Sequence, residues 1–255
     1  MEFLEIKKLK KQFGGLTAVN NVDMTVRSNS IHAVIGPNGA GKTTFFNCVT
    51  SIYPATSGQI IWKGENIEHL PTHVISTKGI SRTFQNIRLF SYMTVLDNVL
   101  VGTHNLTKAH VMDAFLHTKR FKREEKFMNK LSNELLEKVG LIDKRNEYAS
   151  NLPYGEQRKL EIARALASKP DILLLDEPAA GMNNHETAEL IKFIFQLKEE
   201  GYTILIIEHD MKLVMSIADT ITVLDYGKKI AEGIASDIQH NERVIEAYLG
   251  KRRYA

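Results

Sequence analysis

Ile35–Thr44 reads IGPNGAGKTT. Gly36 and Gly41 bracket four residues, Pro37, Asn38, Gly39 and Ala40, and Lys42 and Thr43 follow at once. That is the spacing G-x-x-x-x-G-K-[ST], which has meaning only between a strand and a helix. Both flanks are present. IHAVI (Ile31–Ile35) is a short continuous apolar run of the kind found in buried strands, and TTFFNCVTSIY (Thr43–Tyr53) reads as a helix ending before Pro54. Glycines in such a turn let the backbone curl until successive N–H groups converge on phosphate oxygens. The helix N-terminus adds partial positive charge. Lys42 reaches the β- and γ-phosphates of a nucleotide, Thr43 offers a hydroxyl to Mg²⁺, and Thr44 adds donors. The alternative is a glycine-rich turn with an incidental lysine; the flanking elements argue against it.

A second segment has to agree with the first. In ILLLDEP, a buried apolar run ends in the carboxylates Asp176 and Glu177. The C-terminal ends of strands are where open α/β sheets bind ligands. There Asp176 is expected to hold Mg²⁺, through water, and Glu177 to act as the general base that readies the attacking water. A solvated loop is the competing reading. The chain has no N-K-x-D segment of the type that reads guanine, so the expected nucleotide is ATP.

The rest of the chain supports an α/β domain. With 255 residues, 43% hydrophobic, it can bury a sizeable core. A net charge of +3 gives no reason to expect a nucleic-acid partner. Cys48, the single cysteine, cannot form an internal disulfide and reads as a buried structural thiol. The opening MEFLEIKKLKKQF does not read as a signal peptide, and DILLLD and YTILIIE are too short to span a bilayer.

Leu4 and Ile6, and Val22, Met24 and Val26, alternate with polar residues as half-buried strands do; Gly58–Trp62 and Gly79–Phe84 read as further strands. From Thr94, an N-cap with Asp97 three residues on, helical spacing takes over: Leu131, Leu135 and Val139, then Leu160, Ala163 and Leu166. HTKRFKREEKFMNK within this region reads as a solvated helix face. After Pro170, strands and helices alternate again, with helices near Glu186–Lys198 and Met211–Ile217 and a closing hairpin at DYGKKI. Continuous apolar strands alternating with helices mean a parallel sheet covered on both faces. The basic tail KRRYA reads as a frayed, solvated end.

Further segments carry a family resemblance. LPYGEQRKLEIARAL (Leu152–Leu166) resembles the signature segment of ABC-type ATPases and lies just upstream of LLLDEP, as in that family. RTFQN, IIEHD and QFGG match the family's Q-loop, switch and adenine-facing segments. At a finer level, FGGLTAVNNV, RTFQNIRLFSYMTVLDNVLVG, LDEPAAGMN, EHDMKLVM and AYLG resemble the ATP-binding subunit of branched-chain amino acid importers that has the longer helical insertion. The resemblance covers nearly the whole chain.

It implies one ATP-binding domain over 1–255. The implied fold is a P-loop NTPase with a RecA-like parallel-sheet core (1–93 and 170–255), an antiparallel β subdomain and an inserted α-helical subdomain (about 94–169). It also implies roles. Phe13 would stack on adenine, Gln85 would sense Mg²⁺ and the attacking water, and His209 would hold the γ-phosphate and orient Glu177. The signature residues Pro153, Tyr154, Gly155 and Glu156 would face the ATP of a second such subunit, identical or related. Permease subunits in the membrane would dock in a groove near Asn86–Met93, holding the chain at the cytoplasmic face, and a solute-binding protein would take part indirectly.

Three positions depart from the family pattern. Pro153 stands at the signature serine, Tyr154 at its first glycine, and Asn183 where many members carry an aspartate. Proline has neither hydroxyl nor N–H to offer a phosphate, so the expectation is an asymmetric pair in which this segment is the weaker one. Other readings stay open at this point: an exporter or lipid-transport ATPase, a non-transport ABC ATPase, or a nucleotide-binding regulator without turnover.

Overall fold

The computed structural model describes residues 2–109, 113 and 115–249. Two sheets organise the chain. Strands β1 (Glu2–Phe13), β2 (Leu16–Arg27), β4 (Ser57–Trp62) and β5 (Glu65–Asn66) form an antiparallel sheet in the order β2-β1-β4-β5. Strands β3 (Ile31–Ile35), β6 (Ile80–Arg82), β7 (Ile172–Asp176), β8 (Thr203–Ile207), β9 (Thr220–Asp225) and β10 (Lys228–Gly233) form the other, in the order β10-β9-β3-β8-β7-β6. It is parallel except for β10, which returns antiparallel to β9. The hairpin expected at DYGKKI is this pair. Its turn residues Tyr226 (φ 44°) and Gly227 (φ 76°) are both left-handed, the geometry that matches the twist of the flanking strands.

The three central strands β3, β7 and β8 are buried along their whole length. Their side chains alternate between two separate cores. Ile31, Ala33, Leu173, Leu175, Ile204 and Ile206 enter one, packed against the helices Tyr154–Leu166, Asn184–Glu199 and Met211–Ile217. Val34, Ile172, Leu174, Leu205 and Ile207 enter the other, together with Leu4, Ile6, Val22, Met24, Ile60 and Trp62 of the antiparallel sheet and Phe45, Phe46 and Cys48 of the helix after the glycine turn. A strand covered on both faces has no polar side to show, which is why these runs are apolar apart from the buried His32 in β3 and the end residues Thr203 of β8 and Asp176 of β7. Cys48 is buried, and burial pushes its thiol up to about 11, so it is a packing residue.

Between Arg82 and Ile172 the regular elements are helical among the described residues. Val95–Gly102 opens with the expected cap: Thr94 Oγ1 accepts from the Asp97 N–H (3.0 Å) while the Asp97 carboxylate accepts from the Thr94 N–H (3.3 Å). Gly102 packs so tightly on the Tyr154–Leu166 helix that a Cβ there would sit 2.2 Å from the Arg164 carbonyl oxygen. The long helix Lys119–Lys138 buries Ser132, Leu135 and Leu136 and carries i,i+4 pairs Arg120–Glu124 and Lys130–Glu134 on its outside, the solvated face that its mixed charge predicts.

Two helix boundaries differ from the sequence reading. The helix after the glycine turn runs Lys42–Val49 and stops short of Tyr53. Thr50 Oγ1 bonds back to the Phe46 carbonyl (2.9 Å), and Ser51 turns the chain with φ 53°. The helix expected near Glu186 starts at Asn184, because Asn183 caps it and exchanges hydrogen bonds with Glu186. The tail KRRYA lies outside the described residues.

Candidate active site

Parallel pairing sets the site before any side chain is considered. Val34, Ile207 and Asp176 are level across β3, β8 and β7. The segments leaving these strands therefore emerge together at one edge of the sheet, the crevice open α/β sheets use. The turn after β3 is Gly36–Gly41, and two of its glycines are irreplaceable on geometric grounds. A Cβ on Gly36 (φ 151°) would lie 2.1 Å from the Leu224 carbonyl oxygen, and one on Gly41 (φ 98°) 2.3 Å from that of Ala18. The turn therefore wraps against β9 and β2 and delivers Lys42 at the start of its helix.

Lys42 is buried, and its ammonium donates to the carbonyls of Gly36 (2.6 Å) and Pro37 (3.0 Å). Burial lowers its pKa, opposed by the charges of Glu177 and Asp176. The turn's outer face forms a cavity of about 460 Å³ whose wall includes Asn38, Gly39, Thr43 and Thr44 and, from across the sheet edge, Gln85 and Glu177. Gln85 Nε2 donates to Glu177 Oε2 at 2.9 Å. Glu177 is left-handed (φ 48°), with its N–H bonded to the Ile207 carbonyl (2.9 Å). Such a conformation costs a non-glycine residue roughly 1–2 kcal/mol. His209 Nδ1 lies 3.7 Å from the same Glu177 oxygen.

Asp176 is buried at the end of β7. Oδ2 accepts from Arg82 Nη2 (2.7 Å), whereas Oδ1 has no partner among the described residues. Burial raises its pKa and the neighbouring Arg82 guanidinium opposes that rise. A buried carboxylate oxygen without a partner suits a cation shell. The hydroxyl of Thr43, the Asp176 carboxylate and the Gln85 amide are hard oxygen donors of the kind Mg²⁺ takes. Among the described residues no three His, Cys, Asp or Glu side chains cluster as a metal cage.

Not every predicted residue lines this cavity: Gly36, Pro37, Asp176 and His209 are not part of its wall, although Asp176 precedes Glu177 in the chain and His209 lies near its carboxylate. Phe13 is outside the cavity wall; its ring packs edge-on against Tyr53, with centroids 5.3 Å apart, and Lys11 sits over both rings. Pro153, Tyr154, Gly155 and Glu156 also lie outside it. Pro153 precedes the Tyr154–Leu166 helix without a side-chain cap. Tyr154 packs beside Gly181, Gly155 faces the Glu186 side chain, and Glu156 takes two bonds from Lys144 (2.7 and 2.6 Å).

Three charged residues at this edge escape the motif reading. Arg82 ends β6 beside Asp176. Arg158 donates to the Phe84 and Gln85 carbonyls (2.6 and 2.7 Å) and pairs with Glu161. Glu208 is fully buried, its pKa raised by burial, and accepts from the N–H groups of Ala179 (2.9 Å) and His209 (3.2 Å), tying the segment after Glu177 to the one that carries His209. All three sit inside or beside quoted motifs, but nothing in their spacing distinguishes them from surface charge.

With this geometry in hand, comparison with known proteins places the chain. Residues 19–180 match the profile of the family described as ABC transporter, and residues 228–254 that of the branched-chain amino acid ATP-binding cassette transporter. The chain is 47% identical to the high-affinity branched-chain amino acid transport ATP-binding proteins LivG of Salmonella typhimurium and BraF of Pseudomonas aeruginosa, over 97% of this chain and 98% of each of those. The crystal structure of a nucleotide-free ATP-binding cassette from an ABC transporter superposes with a TM-score of 0.86 at 30% identity, covering 98% of this chain and 100% of that one.

Proposed function

Since the chain belongs to the ABC transporter family of ATP-binding subunits, we propose that it binds and hydrolyses ATP to drive a high-affinity importer of branched-chain amino acids. The fold, the family and the near-full-length likeness to LivG and BraF support this reading. One observation carries the chemistry: the buried Lys42 ammonium and the Gln85–Glu177 hydrogen bond border one cavity at the end of a parallel sheet.

In this reading the amides from Gly36 to Thr44 and the Lys42 ammonium grip the triphosphate. Lys42 exchanges its carbonyl partners for phosphate oxygens when ATP enters. Thr43, Asp176 and Gln85 would hold Mg²⁺, which would supply neutralisation of the charge on the phosphates. Glu177 accepts the proton of the attacking water. His209, within reach of Glu177, orients that carboxylate. Phe13, whose ring is partly exposed, is the residue against which adenine stacks. A stacked base is worth about 1–3 kcal/mol.

Pro153–Glu156 lie outside the chain's own cavity, which supports their action on the ATP of a second ATPase subunit. Among the described residues no helix is long and apolar enough to cross a membrane. In this reading, which rests on the likeness to importer ATPases, permease subunits hold the chain at the cytoplasmic face. Their contact is a groove of about 450 Å³ between the Gln85 segment and the helical region, walled by Phe84, Arg88, Phe90, Val101 and Arg164. Phe90, Tyr92 and Met93 are exposed beside it, apolar surface suited to a partner helix. The division into core (1–93 and 170–255) and helical subdomain (about 94–169) follows the same reading.

The test is Glu177→Gln in the purified full chain. Turnover should fall about 10²–10⁴-fold, the usual contribution of a general base, while bound ATP is retained and chromatographically recoverable as ATP. Steady phosphate release at the parent rate would remove Glu177 from the mechanism.

A further inference from the structure

Arg82 occupies a position that the phosphate chemistry does not use. Its side chain is 6% exposed and its ion partner Asp176 is 1% exposed. The fork of the guanidinium is divided between two elements. Nη2 donates to Asp176 Oδ2 (2.7 Å), whereas Nη1 donates to Asn47 Oδ1 (2.7 Å) and Thr50 Oγ1 (3.2 Å) at the end of the helix that begins with Lys42. Phe46 and Phe84 pack on the guanidinium, 5.5 and 5.2 Å from their ring centres. The consequence for Asp176 is specific. One oxygen is committed to Arg82 and the other, Oδ1, is buried without a partner. A carboxylate gripped by one oxygen cannot rotate to bury the other elsewhere, so Oδ1 keeps its direction.

We propose that Arg82 is the positioning residue of the Asp176 carboxylate: it ties that group to the phosphate-loop helix and keeps Oδ1 free for Mg²⁺. The inference rests on the reading of Asp176 as a metal-holding residue given above. Lysine cannot substitute fully, because a point charge does not bridge Asp176 and the Asn47–Thr50 pair at once. Arg82 also shares the wall of the groove assigned to the permease, and its guanidinium and that of Arg88 both pack on the Phe84 ring, 5.2 and 4.2 Å from its centre. A segment packed into that groove therefore lies against the residue that orients the carboxylate.

The experiment titrates Mg²⁺ into the purified full chain with a fluorescent ATP analogue and measures binding rather than turnover, with a parallel titration of the analogue in EDTA. In Arg82→Gln the Mg²⁺ concentration for half-maximal effect should rise about 10–100-fold, the usual loss when a ligand's outer partner is removed. Analogue binding in EDTA should stay within about twofold of the parent; P-loop contacts do not involve Arg82. Arg82→Lys should fall between the two. If Arg82→Gln does not fold, as judged by its circular dichroism melt, Arg82→Lys alone decides: an unchanged Mg²⁺ titration overturns the proposal. Asp176→Asn separates the two ideas. If it leaves the Mg²⁺ titration unchanged, the metal-holding reading of Asp176 fails. If it shifts the titration and Arg82→Gln does not, only the role of Arg82 falls.

Discussion

Arg158 donates through Nη2 to the carbonyl oxygen of Gln85, 2.7 Å away. The same guanidinium bonds the Phe84 carbonyl (2.6 Å), Glu161 (2.9 Å) and the Tyr154 hydroxyl (3.1 Å), and it is fully buried. The backbone of the segment whose side chain touches Glu177 is thus tied to the helix that starts at Tyr154. In the proposed mechanism a rotation of that helix would carry the Gln85 backbone with it, through the bonds from Arg158.

Removing one partner of the Arg158–Glu161 pair leaves a buried charge alone, which costs about 3–5 kcal/mol. Arg158→Ala should lose stability of that order in urea denaturation. The double variant Arg158→Met with Glu161→Met should recover much of it, since an apolar pair carries no desolvation cost. Turnover should stay low in both, because neither restores the bonds to Phe84 and Gln85. A stable double variant with the parent rate of phosphate release would separate Arg158 from the reaction.

In the proposed mechanism Lys42 exchanges its two carbonyl partners, Gly36 and Pro37, for charged phosphate oxygens when ATP binds. A hydrogen bond to a charged group is worth about 1.5–3 kcal/mol net. Lys42→Ala should therefore weaken Mg·ATP binding by roughly tenfold to a hundredfold in isothermal titration. Equal affinity in parent and variant would contradict the phosphate-socket reading.

His32, in β3, is buried with Nε2 2.8 Å from Thr222 Oγ1, which in turn donates to Glu232 (2.9 Å). Burial lowers the His32 pKa from 6.5 to about 4, opposed by the Glu232 charge and reinforced by that of Lys229. The unfolded chain then binds more protons than the folded one between pH 6.5 and about 4. Stability is fully present above pH 6.5 and falls as the pH drops through that window. The contribution is on the order of 3 kcal/mol. His32→Gln should flatten this part of the stability–pH curve in urea melts; an unaltered slope would mean that other groups set it.

Pro153 leads into the Tyr154–Leu166 helix with no hydroxyl and no N–H. In the assembled transporter, Pro153→Ser should tighten ATP at the site this segment faces and raise the rate, if the pair of ATPase subunits is asymmetric as proposed. The measurement is the ATP concentration dependence of phosphate release in reconstituted vesicles. An unchanged affinity and rate would count against a weakened trans site.

The chain's local chemistry is largely readable from its order of residues. The glycine spacing of Gly36 and Gly41, the apolar run ending in Asp176 and Glu177, and the Thr94–Asp97 cap all act through neighbours a few residues apart. Periodicity also determined that β3, β7 and β8 are buried on both faces, because a strand with no polar side has nowhere else to go. What folding alone decided is which distant groups meet. Arg82 reaches Asp176 across 94 positions and Arg158 reaches Gln85 across 73. Phe13 pairs with Tyr53 outside the cavity wall, and Glu208 ties the segment after Glu177 to the one that carries His209. A charged residue has the same local signature whether it is solvated or buried against a partner. Only the strand order, which sets β6 beside β7 and β7 beside β8, determines which of these charges are taken out of water, and there a single hydrogen bond to the right group decides the cost.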